Sequence, residues 1–315
     1  MLNDSIVFLG TAPFALPSLK LLLENGLRIA GVITRPDRPA GRGKKISSPP
    51  VKEMALEYGQ KLFQPQNKAE LENIMQELKP GVLAAVAYGM ILPPEVLKIP
   101  PLGAINLHPS LLPSYRGAAP IQRALLAGEE STGVSVFFMS SRMDAGDLIL
   151  QERVTIDAEE NFGMLYDRLA VLGAEKLLEA LKLIINGDAS RIPQEDAKAT
   201  YAPPLSRDDE IIDWSKDASS IVNQVRALDP FPGAYTYFRG KRLKVWRAGL
   251  EKQIEVLSGS FSPPGTICRV EKDFFTVCTA KEPLNIFELQ PEGKRRMKTE
   301  DFLKGYVPQV GERFA

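Results

Sequence analysis

A single histidine, His108, occurs among the 315 residues, inside the run Gly103-Ala-Ile-Asn-Leu-His-Pro-Ser-Leu-Leu-Pro113. Imidazole is the side chain whose ordinary pKa lies nearest neutrality, so it is the natural proton carrier at pH 7. Asn106 precedes it by two positions, and in an extended segment residues two apart share a face. A carboxamide and an imidazole projecting together suit a reaction in which negative charge builds on a carbonyl oxygen. Such a site also calls for a carboxylate to orient the ring. Ser141-Arg-Met-Asp-Ala-Gly-Asp147 offers two, Asp144 and Asp147, in a glycine-containing turn. Spacing alone brings neither of them to His108. A core histidine with one hydrogen bond, and ordinary turn aspartates, are the plain alternatives.

A second chemical feature is electrostatic. Arg35-Pro-Asp-Arg-Pro-Ala-Gly-Arg-Gly-Lys-Lys45 sets five basic residues against the one acid Asp37, a net +4. Phosphate contact is the functional reading of such a loop, and a solvated charged loop the bland one. Lys294-Arg-Arg-Met-Lys298 is a weaker second patch with the same two readings. Over the whole chain 39 Lys and Arg balance 39 Asp and Glu, so polyanion binding must use local patches rather than a global field.

The remaining composition narrows the class. Hydrophobic content of 44% and charged content of 25% are those of a soluble globular protein, and the length allows one large or two medium domains. The start Met1-Leu-Asn-Asp4 lacks a basic secretory n-region, and the run Gly81 to Pro93 is broken by Tyr88 and Gly89, too short to span a bilayer. With only Cys268 and Cys278 beside one histidine, the usual nitrogen and sulfur zinc site cannot be assembled, and no metal is expected. A reducing cytoplasm fits this cysteine usage.

The elements that would position these residues alternate strand and helix. Ile6–Gly10 reads as a buried strand and Phe14 to Glu24 as a helix. Arg28 to Thr34 is a strand, Val51 to Tyr58 a helix, and Lys61 to Gln64 a short strand before the helix Lys68 to Leu78. Gly81 to Ala87 is a near-continuous apolar strand, the mark of a parallel sheet covered on both faces. Gly103 to His108 is the next strand, Ala118 to Leu126 a helix, Gly133 to Met139 and Leu148 to Ile156 strands, and Phe162 to Ile185 a long amphipathic helix. This is the pattern of a doubly wound, mostly parallel α/β sheet of Rossmann type, with the site beyond the carboxyl ends of the strands. The first turn, Gly10-Thr-Ala-Pro-Phe14, lacks the dinucleotide glycine fingerprint, so a dehydrogenase is a poor reading.

From Asn186 to about Arg207 the pattern breaks into prolines and polar residues, which reads as a linker. Beyond it a helix over Ala218 to Leu228 precedes short alternating segments at Tyr235–Phe238, Arg242–Arg247, Gly265–Val270, Phe274–Thr279 and Leu284–Leu289, suggesting a small barrel. The expected organisation is residues 1–189 as the catalytic domain, 190–206 as the linker and 207–315 as the second domain.

Taken together, Val32 to Lys45, Ala87-Tyr-Gly-Met-Ile-Leu-Pro93, Asn106-Leu-His-Pro-Ser-Leu-Leu-Pro113, Arg116-Gly-Ala-Ala-Pro-Ile-Gln122 and Met143-Asp-Ala-Gly-Asp147 make the sequence resemble the methionyl-tRNA formyltransferases, within the folate-dependent formyltransferase superfamily. The likeness runs over nearly the whole chain. It implies a formyl donor, 10-formyltetrahydrofolate, and an acceptor, the α-amine of methionine on initiator tRNA, giving N-formylmethionyl-tRNA for translation initiation. Asn106, His108 and Asp144 are then expected to be catalytic, and Ser110, Leu111, Leu112 and Pro113, with Tyr88, Gly89 and Ile91, to bind the folate. Arg35, Arg38, Arg42, Lys44 and Lys45, in a loop inserting toward the acceptor stem, and Lys294, Arg295 and Arg296 are expected at the tRNA, Arg42 foremost. The resemblance also implies an open, OB-like barrel for the second domain, and a monomer without membrane attachment is the expected working form.

The expected chemistry follows from charge. The free amine attacks the formyl carbon, Asn106 and protonated His108 hold the oxyanion, and Asp144 orients His108. Asp144, or a water it holds, accepts the amine proton, and protonation of N10 releases tetrahydrofolate. Relatives acting on a nucleotide-linked amino sugar or a purine precursor share Asn106, His108 and Asp144 but need neither the basic loop nor a terminal barrel. A non-catalytic tRNA- or nucleotide-binding module is the reading from another class.

Overall fold

The runs that read as continuously apolar become the innermost strands of a seven-stranded sheet. The structure is a computed structural model that describes residues 4–40, 45–251 and 262–315. In chain order it begins with β1 (Ile6–Gly10), α1 (Leu16–Glu24), β2 (Ile29–Ile33), a ribbon of β3 (Arg38–Ala40) with β4 (Lys45–Ser47), and α2 (Pro50–Glu57). β5 (Leu62–Phe63), α3 (Lys68–Leu78), β6 (Val82–Val86), α4 (Pro94–Leu97), β7 (Ala104–His108) and β8 (Arg116–Gly117) follow. After α5 (Pro120–Ala127) come β9 (Ser131–Phe138), β10 (Leu148–Thr155), α6 (Phe162–Asn186) and β11 (Tyr201–Ala202).

The strand order is β10-β9-β7-β6-β1-β2-β5. β5, β2, β1, β6 and β7 run parallel, while β9 pairs antiparallel with both β7 and β10. The sheet is thus the expected doubly wound one with an antiparallel edge. β1 and β6 are buried at every position, as strands covered on both faces must be. Val7, Leu9, Leu83 and Ala85 pack with Leu71 and Met75 of α3 and Val96 of α4. Helix α3 starts where sequence rules place it: the Asn67 side chain accepts from the Glu70 amide, and Glu70 reaches back to the Gln66 amide.

The chain divides into two compact units. Unit 1 is Met1–Pro120, Ser131–Thr155 and Tyr166–Pro203; unit 2 is Ile121–Glu130, Ile156–Leu165 and Pro204–Ala315. Residues 190–203, in the stretch read as a linker, fold along unit 1, where β11 pairs in parallel with β8.

In unit 2, α7 (Ala218–Ala227) precedes β12 (Ala234–Phe238), β13 (Lys241–Leu250), β14 (Ile267–Val270), β15 (Phe275–Val277), β16 (Leu284–Pro291), β17 (Met297–Lys298) and α8 (Thr299–Tyr306). The sheet order is β12-β13-β16-β15-β14, with β17 on β16. The two ends of this path are bridged by the segment 311–315. Its Ala315 exchanges backbone bonds with Tyr237 of β12, while Glu312 and Gly311 bond Ile267 of β14. The short-strand pattern therefore does curl into a small barrel, around Phe275, Phe302 and Phe314. Helix α8, which sequence periodicity left unread, supplies Phe302 to that core with Leu303 and Tyr306 packed beside it; three apolar positions in eight residues are too short a run to recognise.

Candidate active site

Asn106 and His108 lie at alternate positions of β7, so their side chains project to one face of the sheet. His108 is only 4% exposed. Its Nδ1 stands 3.7 Å from Asp144 Oδ2, and its Nε2 donates to the Tyr115 carbonyl oxygen at 2.9 Å. The carboxamide of Asn106 is half-buried and has no hydrogen-bond partner among the described residues. An amide beside an oriented imidazole, with nothing of the protein's own to bind, is what a substrate carbonyl requires.

The residues flanking the ring have unusual backbones. Tyr115 has φ 60° and Asp144 φ 49°, left-handed values that non-glycine residues adopt at a cost of about 1–3 kcal/mol. Both are held by many bonds. Asp144 Oδ2 accepts from the Gly117 amide at 2.9 Å. Gln194 donates to the carbonyl oxygens of Asp144 at 2.9 Å and Gly146 at 2.7 Å. The Tyr115 amide donates to Thr200 Oγ1 at 2.8 Å. Gly117 is required twice over: its φ is +128°, and a Cβ there would lie 2.6 Å from the Ala202 carbonyl oxygen of β11. Asp147, the other turn carboxylate, turns away and lies 3.9 Å from Arg191.

The segment after β7 is shaped by a buried hydroxyl. Ser135 of β9 donates to the Ser110 carbonyl at 2.6 Å and accepts from the Leu112 amide at 3.0 Å and from Gln151 at 2.8 Å. Ser110 is fully buried and Leu112 nearly so, packed with Phe137 and Leu148; Leu111 and Pro113 keep partial exposure. In this expected folate segment, therefore, the side chains of Ser110 and Leu112 serve the loop's own packing, and Leu111 and Pro113 supply what remains exposed.

The other expected folate residues follow β6, the strand beside β7. Ala87 takes φ 45° and Gly89 φ 76°, turning the chain sharply, and leave Gly89 exposed and Ile91 70% exposed. Tyr88 is buried, its hydroxyl has no partner among the described residues, and burial pushes its pKa up despite nearby Arg35. Arg35 lies against this turn, its Nη1 3.5 Å from the Gly89 carbonyl oxygen. The acid of the basic loop, Asp37, is bonded by Gln64 at 2.8 Å and Lys52 at 2.6 Å, and these bonds hold its carboxyl below the ordinary range. The base of the loop is thereby pinned. Arg38 is exposed; Arg42 and Lys44 lie outside the described residues, as does the side chain of Lys45.

In unit 2 the three expected cations divide. Lys294 and Arg295 are exposed. Arg296 is engaged by its own protein, 2.7 Å from Asp229 and 2.6 Å from Glu288.

Sequence reasoning missed Tyr115, Gly117, Ser135, Gln151 and Gln194. Ser135 carried a signal, a lone hydroxyl inside the apolar strand Gly133-Val-Ser-Val-Phe-Phe138. The others bond through backbone atoms or arrive from distant sequence. No group of three or more His, Cys, Asp or Glu arranged to hold a metal ion occurs among the described residues.

The formyl transferase family model matches residues 4–181, and that of the formyl transferase C-terminal domain matches residues 204–307. The methionyl-tRNA formyltransferase of Carboxydothermus hydrogenoformans is 47% identical over 315 residues, covering 98% of this chain and 99% of that protein. Among solved structures, the N-formyltransferase of Helicobacter canadensis, complexed with folinic acid and dTDP-3-aminofucose, aligns with TM-score 0.68 at 19% identity over 92% of this chain and 99% of its own. HypX of Aquifex aeolicus in complex with tetrahydrofolic acid aligns with TM-score 0.65 at 20% identity, over 98% of this chain and 48% of its own. At those identities the two structures share the fold.

Proposed function

The chain belongs to the formyl transferase family, and within it we propose that this protein moves a formyl group from 10-formyltetrahydrofolate to the α-amine of methionine esterified to initiator tRNA. The observation that carries the chemistry is the pairing of His108 with Asp144 beside the unpartnered carboxamide of Asn106. The acceptor is chosen by the relative named for methionyl-tRNA, which matches this chain end to end, together with the net +4 loop 35–45.

The residues fit a folate. The exposed turn at Gly89 and Ile91 offers apolar surface and open backbone beside β7, and Leu111 and Pro113 border the same strand's end. Tyr88 supports that turn from within. Asn106 donates to the formyl oxygen as charge develops there, an interaction worth about 3 kcal/mol in barrier. Nε2 of His108 is fixed on Tyr115, so Nδ1 is the nitrogen that meets the reacting atoms. As the amine attacks the formyl carbon, Nδ1 takes up its proton while Asp144 faces the ring, and the bond from the formyl carbon to N10 breaks as that proton is delivered to N10. No step of this sequence needs a metal from the protein.

Phosphates of the acceptor stem are met by Arg38 and the loop cations Arg42, Lys44 and Lys45, and by Lys294 and Arg295 in unit 2. Arg35, lying on the Gly89 turn, serves the junction between loop and folate turn. No helix among the described residues is long and apolar enough to cross a membrane. A cytoplasmic monomer is the form that a role in translation initiation, with its cysteines kept as free thiols, calls for. The deciding experiment supplies 10-formyltetrahydrofolate with charged initiator tRNA and looks for N-formylmethionine. Transfer to a nucleotide-linked amino sugar instead, or to no amine at all, would overturn the assignment.

A further inference from the structure

We propose that Gln194 is a positioning residue for Asp144, holding the carboxylate against His108 through the backbone of the turn that carries it. The proposal rests on the reading of Asp144 and His108 as a working pair.

The turn has reasons to need an outside hold. Asp144 sits at φ 49°, and a Cβ at Gly146 would collide with the carbonyl oxygen of Phe138, so the chain doubles back tightly between them. A left-handed aspartate persists only where surrounding bonds over-determine it. Gln194 supplies two, from Nε2 to the carbonyl oxygens of Asp144 and Gly146. Without them two carbonyls in a half-buried turn lose their protein partner.

The orientation of the Gln194 amide is itself imposed. Its Oε1 accepts from Arg116 Nε at 3.2 Å and Nη2 at 2.8 Å. Arginine has donors only, so it must face the amide oxygen, which leaves the NH2 group for the carbonyls of the turn. Arg116 is 4% exposed and also bonded to Asp196, so the fork does not swing. The next residue, Gly117, gives its amide to Asp144 Oδ2. Arg116 and Gly117 thus grip Asp144 from two sides, one through Gln194 and one directly.

The segment from Gln194 to Ala202 extends the same device. Thr200 accepts from the Tyr115 amide through Oγ1, and its carbonyl oxygen accepts from the Arg116 amide at 2.9 Å. Ala202 accepts from the amide of Ala118 at 2.9 Å. One stretch far along the chain therefore fixes both partners of the imidazole, Tyr115 and Asp144. Asp196 of that stretch accepts from the exposed side chain of Arg142, at the outer end of the turn. Gln194 is the member that reaches the backbone of Asp144 itself.

Gln194→Glu tests this role. It keeps an oxygen for Arg116, which leaves the buried guanidinium paired, removes both donors to the turn and sets a carboxylate oxygen against the two carbonyls. The expected result is a fall in kcat of about tenfold with KM for folate and tRNA unchanged within twofold, and with thermal unfolding retained. The same substitution in an Asp144→Asn background should add less than a further twofold loss, because its target is already gone. Full activity in Gln194→Glu, or an undiminished tenfold loss in the Asp144→Asn background, would overturn the proposal. An Asp144→Asn enzyme with unimpaired kcat would instead refute the reading of Asp144, and with it any positioning role toward it. Gln194→Met, similar in length and without hydrogen-bonding groups, gives the same expectation should the glutamate variant fail to fold.

Discussion

Nε2 of His108 lies 2.9 Å from the carbonyl oxygen of Tyr115, and a carbonyl can only accept. That nitrogen therefore carries its hydrogen in either charge state, and exchange falls to Nδ1, which faces Asp144 Oδ2 across 3.7 Å. The gap is longer than a hydrogen bond, so Asp144 faces Nδ1 without occupying it, and Nδ1 stays open to a proton from a bound amine. A histidine fixed at one nitrogen and faced by a carboxylate at the other is held as an oriented proton carrier.

His108→Ala and Asn106→Ala should each lower kcat by about 100- to 1000-fold while KM for both substrates stays within a few-fold. Steady-state kinetics with each substrate varied in turn makes the check. A loss confined to KM would mean that these side chains bind the ground state only.

Gly117→Ala attacks the site through the backbone. The new methyl group meets the Ala202 carbonyl at a residue with φ +128°, so β8 must move from β11, and the amide that bonds Asp144 moves with it. The expected outcome is a kcat reduced at least tenfold, together with an unfolding midpoint lowered by several degrees. A variant with a depressed midpoint and normal kcat would show that Asp144 does not depend on this bond.

Much of unit 1 was legible because its strands are buried on both faces and its helices are amphipathic, so burial is written into the period of the sequence. Asn106 and His108 were visible for the same reason, as polar residues closing an apolar strand. Asp144 was visible only as one of two carboxylates in a turn; what separates it from Asp147 is the amide of Gly117, contributed from 27 residues away. Gln194 was not visible at all. It lies in an aperiodic stretch, and its partners are two carbonyl oxygens and a guanidinium that no local pattern can assign. Arg296 shows the opposite failure: a basic run reads as a surface for phosphates, yet one of its members pairs with the buried carboxylate of Asp229.

That difference within the basic run can be measured. Replacing Lys294 and Arg295 together with alanine should reduce the salt dependence of tRNA binding by about one unit of slope for each phosphate no longer neutralised, with stability unchanged. Arg296→Ala should instead lower stability by about 1–2 kcal/mol, because the buried carboxylate of Asp229 loses its charged partner and is left with the Asn161 amide. Equal stability of the two variants would contradict this division.

Tyr88 holds a hydroxyl in the core with no hydrogen-bond partner among the described residues. Burying such a group costs about 1–3 kcal/mol. Tyr88→Phe keeps the ring that supports the Gly89 turn and deletes the unsatisfied group, so the unfolding midpoint should rise by about 2 °C or more. KM for the folate should be unaltered, since the ring supports the turn from within and the exposed Gly89 and Ile91, rather than the hydroxyl, border the proposed ligand. A rise in that KM would show that the hydroxyl swings out to bind.

Unit 2 should carry an acid-sensitive ion pair. Asp209 receives Arg123 at 2.7 Å and 2.9 Å and the Ser206 amide at 2.7 Å, and both partners of the ion pair are about four-fifths buried. Burial pushes this carboxyl up, but the Arg123 and Ser206 hydrogen bonds outweigh it and hold it below its ordinary value. A lowered folded pKa means stability that is fully present above the unfolded value of about 4 and is lost as pH falls through the folded value. Asp209→Asn should therefore destabilise unit 2 by about 2 kcal/mol at pH 7, and the difference from the unsubstituted protein should close as pH drops below about 4. The only two tryptophans, Trp214 and Trp246, lie in unit 2, so their fluorescence follows this transition without interference from unit 1. A difference that stays constant from pH 7 to pH 3 would mean that Asp209 contributes through shape and not through charge.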